Sequence, residues 1–239
     1  MASRFRFSAG RASEGQAPGT QRRSGFSFGR ALQPASGLPD DGPLPRRDTV
    51  LFVCTGNVCR SAYGHHVFQA LLAQRPGLGL GGLQVASAGT GINQALQPPA
   101  QILRLAAARC PEAVGALTAH RPTALDEAAL ARAVVVLAAT DRHLDVVLDE
   151  QPSAARRCFT MLEFARLCGH VLEEGLAEGC GVEELVRRCA DLRERQGGRA
   201  EDLADPFGRS DAEYEAMAEQ LQPAVEWMVE AVARALGGS

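Results

Sequence analysis

The chain has 239 residues, of which 46% are hydrophobic and 22% charged, and its formal net charge is −3. That balance supports a buried core, excludes wholesale disorder and argues against general nucleic-acid binding. No apolar run reaches the roughly 18 residues of a membrane span, and all 25 basic residues are arginine, which excludes lysine nucleophiles, Schiff bases and a Walker-type phosphate lysine.

Residues 1–48 hold eight Arg, the four acids Glu14, Asp40, Asp41 and Asp48, and 18 Gly, Pro or Ser. They show neither helical nor strand periodicity and read as a disordered basic tail, with an Arg-rich transit leader as the alternative. Thr49–Val53 is a short buried strand. Cys54–Arg60 is a loop, and Ser61 stands at an N-cap-type position before a helix over Ala62–Leu72. A second strand spans Leu83–Ala88 and a second helix Pro98–Arg109. Ala133–Ala138 is a third strand, and Thr140 caps a helix over Asp141–Asp149. Arg157–Thr160 is a fourth strand, followed by helices over Met161–Cys168 and Glu183–Glu194. A long helix runs from Asp211, with Met217, Leu221, Val225, Met228, Val229 and Val232 as its core stripe and Pro223 expected to kink or split it. Apolar strands alternating with helices predict an α/β fold, a four-stranded parallel sheet with helices on both faces, within a single domain over 49–239. Seven cysteines, an odd number, are too scattered for a disulfide scaffold; they suggest a reducing cytosol and a reactive thiol.

Ligands of such sheets bind at the carboxyl ends of strands, where Cys54–Arg60 lies. A C-x5-R-S loop between strand and helix can curl its amides around an anion, helped by the helix N-terminus. Gly56 allows the curl, and Asn57 tolerates a left-handed backbone. Cys54 at the bottom of this positive cradle is expected to ionise readily, with Ser61 as a hydrogen-bond donor to the thiolate. The Arg60 fork suits two oxygens of a phosphoryl group. Nucleophile, oxyanion cradle and clamp thus lie within eight residues, with no metal or other cofactor needed. The bland alternative is a buried cysteine and a surface arginine that happen to fall six apart.

Val53–Ser61 (VCTGNVCRS) resembles the phosphate-binding loop of the low-molecular-weight protein tyrosine phosphatases, bacterial members included. Ser87-Ala88-Gly89-Thr90, His120-Arg121-Pro122, Phe159–Phe164 and Asp205-Pro206-Phe207-Gly208 are similar to further family segments. The resemblance implies hydrolysis of aryl phosphate monoesters, phosphotyrosine above all, through a cysteinyl-phosphate intermediate. It assigns Cys54 as nucleophile, Arg60 as clamp and Asp205 as general acid and then base. Thr55, Gly56, Asn57, Val58, Cys59 and Ser61 would bind phosphate, with Phe207 a wall for the substrate ring. Asn57, Ser87 and His120 would form a polar network under the loop, and Cys59 a reversible redox partner of Cys54. The implied partner is a phosphotyrosine protein or small aryl phosphate; no nucleic acid, membrane, metal or cofactor is implied.

The sequence departs from that family at Ala62–His66, where a Pro and an Ala-Glu pair are usual, and Gly64 weakens the helix there. No Trp or Tyr follows Thr90, so a more open pocket is expected. Residues 169–204 form a helical insertion. His65, His66, His143 and His170 read as structural or exposed, and His65 and His66, adjacent on a helix, as pointing apart. Two other functions fit the loop: a thioredoxin-coupled arsenate reductase, which needs a relay through cysteines such as Cys110 and Cys158, and a non-catalytic phosphate-binding module.

Overall fold

The computed structural model describes residues 46–75, 78, 82–197 and 201–237. The reading of residues 1–48 as a tail therefore lies outside the described residues, except at 46–48.

Strand β1 (Thr49–Cys54) is buried at every position. Its alternation divides the core. Val50, Phe52 and Cys54 enter one apolar cluster, Leu51 and Val53 the other. The sheet is completed by β2 (Gln84–Gly89), β3 (Ala133–Ala138) and β4 (Cys158–Thr160), all parallel, in the order β2-β1-β3-β4. The chain leaves β1 toward one edge and returns on its other side. The crevice beyond the carboxyl ends of β1 and β3 is thus the topological switch point, and the Cys54 loop opens there.

Helix α1 (Arg60–Ala73) follows the loop. It lies so close to β1 that a Cβ on Gly64 would sit 2.9 Å from the Phe52 ring, so the expected helix weakener is a close-approach residue. Helix α2 (Ala100–Arg109) starts two residues later than expected, after an extended Pro99. Two short helices, α3 (Val114–Ala119) and α4 (Glu127–Arg132), carry no signal that sequence reading detected. Helix α5 (Asp141–Glu150) packs with α4 on the second face, burying Leu130, Leu144 and Val147.

Helix α6 (Met161–Glu173) runs one and a half turns further than expected, and α7 is Val182–Gln196. The stretch expected as an insertion packs into the main core, where Leu185, Val186, Cys189, Ala190 and Leu192 are buried. Arg193 of α7 also covers the β4 edge, donating to the Cys158 carbonyl at 2.6 Å and lying over the Phe159 ring at 4.4 Å.

Helix α8 (Asp211–Leu236) opens with a Ser210–Glu213 capping box and passes Pro223 as one continuous helix. The expected split does not occur. The whole predicted stripe is buried on both sides of the proline, and buried Tyr63 donates to Gln222 Oε1 at 2.9 Å beside it. Packing outweighs the one backbone hydrogen bond a proline removes.

Candidate active site

The loop between β1 and α1 is shaped by Asn57, whose φ of 53° makes it the one non-glycine residue with positive φ among those described. Gly56 has no positive φ, and a Cβ there would make only an ordinary 3.7 Å contact with Val58. The left-handed backbone expected at Asn57 is there. The glycine that the loop requires is Gly89 at the end of β2, where a Cβ would lie 2.5 Å from the Thr55 carbonyl oxygen and 3.1 Å from the Asn57 amide.

Asn57 spends its whole side chain holding the turn. Its Oδ1 accepts from the Thr123 amide at 2.9 Å, and its Nδ2 donates to Ser61 Oγ at 2.9 Å. Its carbonyl accepts from His120 Nε2 at 2.8 Å. Because Ser61 receives the Asn57 amide, its own proton is free to give. Cys54 Sγ is 2.9 Å away and the Ala88 carbonyl 3.5 Å, so the hydroxyl is placed to donate to a thiolate at Cys54. Ser61 is therefore not a helix cap: α1 begins at Arg60 with Cys59 as the cap residue. Cys54 is 1% exposed. Cys59, also buried, packs behind the loop; burial, with Cys54 and Asp205 nearby, pushes its thiol up to about 12.

Arg60 is buried and reaches out of α1 to the 201–210 segment. Its Nη1 donates to the Leu203 carbonyl at 3.0 Å and its Nη2 to Asp205 Oδ2 at 2.7 Å, while Nε is buried with no protein partner among the described residues. That segment is fixed by the Leu203 amide on the Ala139 carbonyl (2.8 Å) and by Asp202 accepting from the Asp141 amide at the start of α5 (2.8 Å). Asp205 Oδ1 takes the Phe207 amide at 3.2 Å, and the Phe207 ring is 46% exposed beside it.

Ser87 does not bond to Asn57 or His120. Its hydroxyl pairs with His65 Nδ1 at 3.0 Å. His65 and His66 do not point apart: their rings stack with centroids 4.1 Å apart, and His66 Nε2 lies 2.9 Å from His120 Nδ1. Long side chains on a helix flank can swing together even when their Cα–Cβ vectors diverge.

His143, read from sequence as structural or exposed, stands in the loop's surroundings. Its Nε2 pairs with Thr55 Oγ1 at 3.0 Å and its Nδ1 with Thr140 Oγ1 at 2.6 Å. Thr140 thus orients a histidine instead of capping α5 with its side chain. No local pattern could reveal this, because Thr55 and His143 are 88 residues apart. Burial, then the Arg60 charge, lowers His143 to about 4, with Asp205 and Asp202 opposing. Its protonation is thus disfavoured in the folded state. The corresponding stability is fully present above the ordinary histidine value of about 6.5 and is lost as pH falls from there toward about 4. His143→Gln should shrink the drop in unfolding free energy between pH 7 and pH 5 by about 2 kcal/mol. Urea melts at the two pH values check it, and an unchanged drop would contradict it.

Of the residues expected at the site, the fold brings together Cys54, Ser61, Asn57, His120, Arg60 and Asp205, with Thr55 and Phe207 flanking them. Cys110 and Cys158 are both buried, but in the two different core clusters, on opposite faces of the sheet.

The model of the low molecular weight phosphotyrosine protein phosphatase family matches residues 49–174, which contain the loop and all four strands. The protein-arginine-phosphatase of Geobacillus stearothermophilus is 26% identical over 181 residues, covering 76% of this chain and 93% of that protein. Two solved structures are similar over 76% of this chain. The low molecular weight protein tyrosine phosphatase of T. tengcongensis has a TM-score of 0.54 at 25% identity, with 97% of its chain covered. The YwlE arginine phosphatase of G. stearothermophilus has a TM-score of 0.52 at 24% identity, with 90% covered. A cysteine held under a serine hydroxyl at the sheet's switch point, in a loop that this model spans, places the chain in the low molecular weight phosphotyrosine protein phosphatase family.

Proposed function

We propose that this protein hydrolyses phosphotyrosine and related aryl phosphate monoesters through a cysteinyl-phosphate intermediate. The observation that carries the reading is the buried Arg60. It links the Cys54 loop to Asp205, and its Nε–H has no protein partner among the described residues. In this reading Cys54 Sγ attacks phosphorus in line, with Ser61 donating to the thiolate. Arg60 and the loop amides take the phosphoryl oxygens, and as Arg60 turns to them Asp205 leaves its ion pair, takes up a proton from water and gives it to the departing phenolate. The sulfur–phosphorus bond forms as the phosphorus–oxygen ester bond breaks. Water then attacks the phosphocysteine, gives its proton to Asp205 and releases phosphate and the thiolate. Phe207, exposed beside Asp205, is the wall against which a substrate ring would lie. Among the described residues, no helix is long and apolar enough to cross a membrane.

A second reading is phosphoarginine hydrolysis at the same site, favoured by the arginine phosphatases that the chain is similar to. There the bond broken is phosphorus–nitrogen. Arsenate reduction is disfavoured by the placement of Cys110 and Cys158 on opposite faces of the sheet, which offers no relay between them. Phosphate release from a phosphotyrosine peptide and from a phosphoarginine peptide of the same sequence separates the two phosphatase readings. The proposal expects kcat/KM at least about tenfold higher for the tyrosine peptide, a difference of about 1.4 kcal/mol in transition-state binding. A preference for phosphoarginine would replace the first reading with the second.

A further inference from the structure

The cluster of His65, His66 and His120 lies beneath the loop and takes no part in the chemistry above. One ring nitrogen of each residue lies within 4.8 Å of the others. His120 Nε2 faces the Asn57 carbonyl, which can only accept, so the proton is on Nε2 and Nδ1 carries a lone pair. His66 Nε2, 2.9 Å from that lone pair, must then be the donor. His66 Nδ1 is consequently a bare lone pair, and it is buried with no hydrogen-bond partner among the described residues. Burial leaves all three rings uncharged at neutral pH, lowering His65 to about 3 and His66 to about 4.

We propose that His65, His66 and His120 form a binding site for one divalent transition-metal ion of the zinc class. Two imidazole nitrogens on a tetrahedral ion, each at about 2.0–2.1 Å, stand about 3.3 Å apart. The His66–His120 pair, now at 2.9 Å, need open by only a few tenths of an ångström. The ion takes the place of the shared proton, which moves from Nε2 to Nδ1 of the His66 ring, so the orphaned nitrogen becomes an N–H. Ligating histidines usually tie their other nitrogen to a carbonyl, carboxylate or water. His120 already does so at the Asn57 carbonyl, and His65 has the equivalent tie to the Ser87 hydroxyl; its ring, stacked on His66 at 4.1 Å, turns out of the stack to aim its other nitrogen at the ion. Three protein ligands leave a fourth position open. His65 and His66 are half-buried, so an ion can reach them from solvent.

The test is titration of the chelator-treated full chain with Co2+ and Zn2+. It is run in wild type and in Cys54→Ser, which removes the site's competing thiolate. The proposal expects one equivalent to bind in both, with visible Co2+ bands and no sulfur-to-cobalt charge-transfer band. Zn2+ should raise the thermal midpoint in proportion to the logarithm of its concentration. His65→Gln and His66→Gln should each weaken binding more than about 100-fold, beyond the cost of losing an outer partner alone. Circular dichroism identifies any variant that fails to fold, and the other variant then decides. Absence of saturable binding to wild type at 1 mM ion (roughly the weak limit of specific sites) overturns the site. So does undiminished binding in both histidine variants, or binding that disappears with Cys54.

Discussion

Replacing Cys54 by serine should abolish hydrolysis of para-nitrophenyl phosphate while leaving the fold intact. The exchange changes one atom in a side chain that is 1% exposed, and an Oγ can still meet Ser61 Oγ, now 2.9 Å from the sulfur. The missing property is ionisation: a hydroxyl under the same donors gives up its proton far less readily than a thiol, so the nucleophile is absent at the pH of the assay. A loss of at least about 10⁴-fold in kcat is expected, since removing a covalent nucleophile elsewhere costs up to about 10⁶. Phosphate should still protect the protein against thermal unfolding, because the amides and Arg60 that would bind it are untouched. Steady-state rates and phosphate-dependent melting of wild type and Cys54→Ser check both halves. A variant keeping more than about 1% of the wild-type rate would remove Cys54 from the chemistry.

Asp205 gives the second large effect and can be separated into two roles. Its Oδ2 holds Arg60 at 2.7 Å, so an alanine here removes both the candidate acid and the partner of the clamp. Asp205→Asn keeps an oxygen that can accept from Arg60 but cannot exchange the proton. If Asp205 is the acid, both variants should lose about 10²–10⁴-fold on phenyl phosphate or a phosphotyrosine peptide. Both should lose much less on para-nitrophenyl phosphate, whose leaving group departs without help. If Asp205 merely positions Arg60, asparagine restores most of the activity that alanine loses, and the loss is the same for good and poor leaving groups. The paired variants assayed across leaving groups decide between these outcomes.

Much of the site was readable because its parts are contiguous. The run of β-forming residues at Thr49–Val53, the Gly-Asn pair and the helical stretch after Ser61 each act through local backbone preference, and together they make strand, loop and helix in that order. Asn57 is the clearest case: a short amide side chain tolerates the left-handed backbone that the loop adopts at that residue. The stripe of α8 was readable for a similar reason, its spacing of three and four being a property of the helix itself.

What stayed hidden depends on distance along the chain. The loop's Thr55 meets His143, and Arg60 meets Asp205, across 88 and 145 residues. Ser61 looked like a cap because caps are local, whereas its actual partners, Cys54 and Asn57, are set by how the loop curls. That residues 169–204, read as a helical insertion, pack into the main core stayed hidden because amphipathic helices look alike whether they pack on their own core or on another's. Only the fold shows α7 closing the β4 edge.

The sequence by itself determined the four strands and the longer helices between them, the apolar faces and the loop that presents Cys54, since these follow from steric preference and periodicity over a few residues. The tertiary structure alone decided that Arg60 reaches Asp205, that His143 stands against the loop and that three histidines converge beneath it. Those contacts arise from parallel crossovers that bring distant segments to one end of the sheet, and no short-range preference encodes where such segments will meet.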